Sequence, residues 1–159
     1  GASPGISPQK VDQLAYGDIE FFLKVYVGGA LSLVAGASPG MVERKFGRFI
    51  FLGTSYMFGS PPAGTTAYMV AKEALWGLAK GMAAELGPSG ITTNMVSPGI
   101  TATDLTASVP ARTKEVAAMT SPMRRLVTTQ DTAEMVAFLA SESAGFINGV
   151  NMPIIGGPS

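Results

Sequence analysis

An α/β fold built on a parallel sheet is the class this sequence predicts, and three observations carry the prediction. Arg48-Phe49-Ile50-Phe51-Leu52 is a short unbroken apolar run closed by Gly53, which suits a parallel strand buried on both faces. Thr66 to Leu86 reads as a long helix that Gly87-Pro88-Ser89-Gly90 stops firmly. Ile91 to Val96 reads as a second buried strand, with Ser97-Pro98-Gly99 as its exit turn.

The remaining elements follow in chain order. Tyr16 to Leu33 or beyond reads as a buried helix capped by Asp18, with small residues that allow close approach to a sheet or to a second subunit. Within it, Val25 to Val42 contains eighteen residues without a charge, near the lower length for spanning a bilayer. Gly28, Gly29, Gly36, Gly40 and Pro39 dilute that signal, so a membrane role is not expected. The loop after the first strand runs through Gly59, Pro61, Pro62 and Gly64. Asp104 to Arg125 has poor periodicity around one apolar-spaced piece, Val116 to Met119, and reads as a lid or an ordinary surface loop. Met119 and Met123 are either pocket lining or plain core filler. Thr128 with Asp131 opens a helix from about Asp131 to Ser141, whose Met135, Phe138 and Leu139 face inward. Gly149 to Ile155 reads as a last strand, in which Pro153 is tolerable only at an edge or a strand end.

Composition agrees with one domain over residues 1–159. A chain of 159 residues with 47% hydrophobic and 14% charged residues supports a substantial core. Eleven basic and eleven acidic residues balance, and neither sign forms a run. Nucleic acid is therefore not expected as a partner, because phosphate binding needs clustered cations. With no cysteine and no histidine, a disulfide framework, a thiol nucleophile, a thiolate zinc site and a Ser-His-Asp triad are excluded, and no metal site is expected. Gly1-Ala2-Ser3-Pro4 has neither the basic region nor the apolar core of a secretory signal, and a cytoplasmic location is the expectation.

The chemistry concentrates in Tyr68-Met69-Val70-Ala71-Lys72. Residues four apart share one helix face, so Lys72 can lie beneath the phenol of Tyr68. A cation held near a phenol favours the phenolate and draws its pKa from about 10 toward neutrality, which makes an acid or base of it. Thr54, Ser55 and Tyr56 fall at the carboxyl end of the first strand, where open α/β sheets bind ligands.

These residues resemble the short-chain dehydrogenase/reductase family, whose shared segments include a Tyr-x-x-x-Lys pair, a Ser about thirteen residues upstream and an Asn-x-x-x-Pro-Gly turn downstream. Ser55 lies thirteen before Tyr68, and Asn94 lies four before Pro98. Gly47-Arg48 and Phe146-Ile147-Asn148-Gly149 extend the match. Ala2-Ser3-Pro4-Gly5 is similar to the segment that closes the family's fourth strand. The resemblance implies a partial Rossmann-type sheet flanked by helices, the later half of a doubly wound fold. It lacks the amino-terminal glycine-rich turn that receives the cofactor pyrophosphate.

What the resemblance implies about function is an NAD(P)-dependent carbonyl reductase or alcohol dehydrogenase. The expected catalytic residues are Ser55, Tyr68 and Lys72, with Thr54 as runner-up to Ser55, because counting forward from Gly47-Arg48 selects the threonine. Tyr68, Lys72, Pro98, Gly99, Ile100 and Thr103 are the expected cofactor contacts. The cofactor is NADP or NAD, with the choice unreadable. Expected partners are a small-molecule carbonyl or alcohol and either a second copy of the chain or a separate nucleotide-binding half. Association is expected through the helix bearing Tyr68 and the long helix before it. Tyr26 stands where the family usually keeps an active-site Asn, and a tyrosine cannot reproduce the contacts of an amide. The alternative reading is a non-catalytic binding or assembly module.

Overall fold

A computed structural model describes residues 4–107 and 109–157. Ala2 and Ser3 of the Ala2-Ser3-Pro4-Gly5 segment lie outside the described residues.

Three parallel strands form the sheet: β1 (Gly47–Leu52), β2 (Ile91–Pro98) and β3 (Asn151–Ile154), in the order β1-β2-β3. Gly47 pairs with Ile91 and Leu52 with Val96, while Met95 to Pro98 pair with Asn151 to Ile154. The central strand β2 is buried from Ile91 to Ser97, as a strand covered on both faces must be. Pro153 falls in β3, which hydrogen-bonds to β2 alone. A residue without an N–H is tolerated there because the other side carries no ladder.

Helices cover both faces of the sheet. On one side lie α1 (Tyr16–Leu23), α2 (Gly29–Glu43) and α3 (Thr66–Leu86). Phe49, Met82 and Ile91 pack there against Val34, Ala37 and Met41. On the other side, α5 (Thr129–Ala140) sends Leu139 against Val96 and Ala144. Thr128 and Asp131 close the predicted box: the Asp131 amide donates to Thr128 Oγ1 at 3.1 Å, and the Thr128 amide donates to Asp131 Oδ2 at 2.8 Å. Helix α3 has the predicted bounds, because Gly87-Pro88 converts its end to a 3-10 turn and Gly90 leaves with φ +75°. A side chain at Gly90 would meet the Lys45 carbonyl.

Three readings need correction. Asp18 does not precede α1 but sits in its first turn, where Oδ2 accepts from the Ala15 amide at 2.9 Å. The helix from Tyr16 is not buried, since only Tyr26 and Ala30 are inside and Leu33 is 71% exposed. It continues to Glu43, and α1 joins α2 through a π-helical segment, Lys24–Gly28. By length and composition the whole run is long and apolar enough to cross a bilayer. In the fold its inner face lies on α3 and the sheet. Finally, the stretch read as a loop or lid holds a ten-residue helix, α4 (Ala111–Thr120), started by Pro110. It buries no residue, so its sequence carries no strong apolar stripe to announce it.

Two asparagines tie β2 to the segment that leads into β3. Asn94 Nδ2 donates to the Ile147 carbonyl at 2.8 Å, and its Oδ1 accepts from the Val150 amide at 3.1 Å. Asn148 Oδ1 accepts from the Thr93 amide at 2.8 Å, and its Nδ2 donates to the Ala83 carbonyl at 2.9 Å. Asn94-x-x-x-Pro98-Gly99 and Ile147-Asn148-Gly149 are thus two halves of one brace. Asn94→Ala leaves a half-buried carbonyl and a half-buried amide unpaired. The variant should lose about 2–3 kcal/mol of stability in urea denaturation, in line with the cost of orphaned buried groups. An unchanged midpoint would show that the brace is redundant.

Candidate active site

The site is assembled where β1 ends and α3 begins. Gly53 lets the chain leave β1 flush against β2, since a side chain there would meet Ser97 Oγ and the Met95 sulfur. Thr54 follows, buried, and starts the short 3-10 turn Ser55–Phe58. Thr65 then leads into α3, one face of which carries Ala67, Tyr68, Ala71, Lys72 and Leu75 inward. Spacing by one turn puts Tyr68 and Lys72 on that face, and both are nearly enclosed, at 5% and 6% exposure.

Lys72 Nζ donates to the Leu52 carbonyl at 2.8 Å, the last residue of β1. The ammonium also lies 3.9 Å from the centre of the Tyr26 ring and 5.7 Å from that of Tyr68. Tyr26 stands edge-on to Tyr68 at 6.0 Å and stacks on Phe22 at 6.2 Å. A cation is therefore held among aromatic faces beneath the phenol.

The hydroxyl that acts on the Tyr68 phenol is that of Thr54. Ser55, one residue on, lines a cleft of about 300 Å³ together with Tyr56, Gly99, Ile100 and residues of α4 and its exit. Forward counting from Gly47-Arg48 thus reaches the hydroxyl that acts on the phenol pKa, and backward counting from Tyr68 reaches its neighbour.

Burial, not charge, dominates the phenol. Desolvation holds the Tyr68 pKa well above its ordinary value, the Thr54 hydroxyl opposes this, and the Tyr26 and Tyr56 phenols add to it. The expected pull of Lys72 toward neutrality is corrected accordingly. The ammonium sits over ring faces and against a carbonyl, and burial lowers its own pKa to about 8.

Of the other expected contacts, Gly99 and Ile100 line the 300 Å³ cleft with Ser55. Pro98 ends β2, and the Gly99 amide donates to the Ile154 carbonyl at 3.0 Å. Thr103 is exposed ahead of the 3-10 turn Asp104–Thr106 and is absent from the cleft wall. Tyr68 lines a separate cavity of about 230 Å³ with Ile6, Leu14, Phe22 and Gly64. Met119 and Met123 fill neither core nor cleft, being 67% and 61% exposed. Sequence reasoning passed over Arg125, on the cleft wall. It is held by two bonds to Asp131, of 2.6 and 2.9 Å, and the six-residue Arg–Asp spacing across a turn offered no helical pattern to flag it.

A buried tyrosine–lysine pair beside a hydroxyl-bearing turn on a parallel α/β sheet is thus present, and comparison with known proteins identifies the lineage. A family profile described as enoyl-(acyl carrier protein) reductase matches residues 2–159, and the chain belongs to the short-chain dehydrogenase/reductase family. The 3-oxoacyl-[acyl-carrier-protein] reductase MabA of Mycobacterium bovis is 38% identical over 130 residues, covering 81% of this chain and 52% of that protein. FabG of Pseudomonas aeruginosa, of the same activity name, is 36% identical over 118 residues, covering 74% and 47%. The crystal structure of a 3-oxoacyl-[acyl-carrier protein] reductase from Brucella melitensis superposes with a TM-score of 0.88 at 28% identity, covering 99% of this chain and 60% of that one. The chain spans about half the length of the curated relatives it matches.

The buried lysine gives folding stability a distinctive pH dependence. Below pH about 8 Lys72 is charged in folded and unfolded chains alike, and the folded state bears the cost of enclosing that charge. Above about 8 the folded chain has released the proton while the unfolded chain keeps it, so stability rises. Past the ordinary phenol value of 10.0 the unfolded Tyr68 ionises while the buried one does not, and stability falls. Urea titrations should therefore show stability rising from about pH 8 to a maximum near pH 10. Lys72→Met should remove the rising limb; a limb that persists in this variant assigns it to another group.

Proposed function

We propose that the chain is the catalytic part of an NAD(P)-dependent carbonyl reductase, with Tyr68 as proton donor. The observation that carries this reading is the buried, protonated phenol of Tyr68, acted on by the Thr54 hydroxyl and set over an ammonium. The phenol carries its proton at neutral pH, as a donor to an oxygen that gains negative charge must, and burial makes it a weaker acid than a free tyrosine. The names of the relatives, 3-oxoacyl-[acyl-carrier-protein] reductases, support a carbonyl substrate.

The fit of a nicotinamide cofactor, NADP or NAD, rests on the cleft at the carboxyl ends of β1 and β2. Ser55, Gly99 and Ile100 wall it there, with hydroxyl, backbone and apolar groups suited to the flat ring of such a group. Pro98 and Thr103 would act on either side of that wall, and Lys72 would hold the ribose. Bound there, the cofactor supplies the hydride. The chain's own residues do the rest: Thr54, with Ser55 beside it, holds the substrate oxygen. Tyr68 donates the proton, and Lys72 supplies the positive charge beneath it.

Residues for the pyrophosphate would come from a nucleotide-binding half, as in a protein the length of the relatives. The exposed apolar faces of α2 and α3, with Leu31, Leu33 and Val70 outward, suit pairing with a second copy. A cytoplasmic enzyme without nucleic-acid or membrane partners completes the reading. The non-catalytic alternative is favoured by Tyr26 and by the near-complete enclosure of Tyr68.

Turnover of a 3-oxoacyl thioester with NADPH or NADH by the intact protein decides between them. Tyr68→Phe should lower kcat by roughly 10²–10⁴, the range of a lost acid–base group; turnover undiminished in this variant would sink the reductase reading. Thr54→Val should cost more than Ser55→Ala, since the buried Thr54 hydroxyl is the one that acts on the phenol. The reverse order would return the role to Ser55.

A further inference from the structure

We propose that Tyr26 is a positioning residue: its ring face seats the Lys72 ammonium under the phenol of Tyr68. The inference rests on the proposed function only for the use made of Lys72. Nζ is 3.9 Å from the Tyr26 centroid, nearer than to Tyr68 at 5.7 Å, and its one hydrogen-bond acceptor among the described residues is the Leu52 carbonyl. A carbonyl fixes the ammonium along one direction. The ring face fixes it along another, and at a buried site this attraction is stronger than at the surface.

The backbone is arranged to deliver that ring. Tyr26 is the single buried residue of the π-helical segment Lys24–Gly28, and a π turn shifts side chains out of the phase that the flanking α-helices would give them. Phe22 stacks behind it with ring planes 9° apart, and Tyr68 meets it edge-on at 77°. The ring therefore has fixed neighbours on either side.

The groups facing Lys72 are few. Tyr26 comes from the π segment, the Leu52 carbonyl from β1, and Tyr68 from its own helix, with Thr54 and Tyr56 beyond the phenol. Among the described residues Lys72 forms no ion pair. Burial lowers its pKa, and the Leu52 carbonyl and the Tyr26 ring face are the groups placed to oppose the loss of charge.

The test is the titration of Lys72 in the intact protein, read by the ¹³Cε resonance of labelled lysine and assigned with Lys72→Arg. Tyr26→Phe keeps the face and should leave the midpoint where it is in the parent. Tyr26→Leu should move it down by roughly one pH unit, the size expected of a buried cation–π contact. Should the leucine variant fold poorly, 3,4,5-trifluorophenylalanine at position 26 keeps the ring's shape, withdraws charge from its face, and should move the midpoint the same way. A midpoint unmoved by fluorination, or one moved equally by Tyr26→Phe, overturns the proposal. The titration needs neither cofactor nor substrate, so it is decided separately from the reductase reading, whose failure shows as turnover surviving Tyr68→Phe.

Discussion

One hydrogen bond, from Lys72 Nζ to the Leu52 carbonyl, sets the terms for the rest of the site. It joins the face of α3 to the last residue of β1, and so fixes where the helix begins relative to the strand end. Because the ammonium is enclosed, it must be compensated by what surrounds it, and the surroundings are a carbonyl and two aromatic rings. The rings in turn form part of the cluster with Ala30, Ala71, Leu75 and Met95 that seats α3 on the sheet. Chemistry and packing use the same side chains here. A change made for one is felt by the other.

Much of the fold was legible because its signals are local. Gly87-Pro88-Ser89-Gly90 ends α3 by dihedral preference alone, and Thr128 with Asp131 opens α5 by a cap that reads directly from residue types. The strands announced themselves by apolar runs between glycine and proline turns. Helix α4 was not legible, since a helix that buries nothing needs no apolar stripe. The exposure of α1 and α2 was misread for the converse reason. Their apolar composition implies a covering surface, but sequence does not say whether that surface belongs to the same chain.

The neighbourhood of Tyr68 and Lys72 was legible, and the state of the two groups less so. Helical spacing alone brings Tyr68 and Lys72 together, yet it says nothing of the height of Nζ relative to the phenol oxygen. That height decides whether the cation lowers the phenol pKa or leaves desolvation unopposed. The choice between Thr54 and Ser55 depended on loop length between Gly53 and Thr66, which spacing from either end measures differently. Asn94 and Asn148, which entered as motif letters, proved to be scaffold, and only coordinates could show that they answer one another across the β2–β3 connection.

The π-helical segment Lys24–Gly28 has a consequence beyond the placement of one ring. An α-helix turns about 100° per residue, so one residue more in a single turn rotates everything before it by about that angle relative to everything after. The extra residue is taken up where Phe22, Tyr26 and Ala30 meet one cluster, so the 28-residue run keeps a single inner face across the change of pitch, and α-helical counting from Phe22 alone would misplace the residues that follow it.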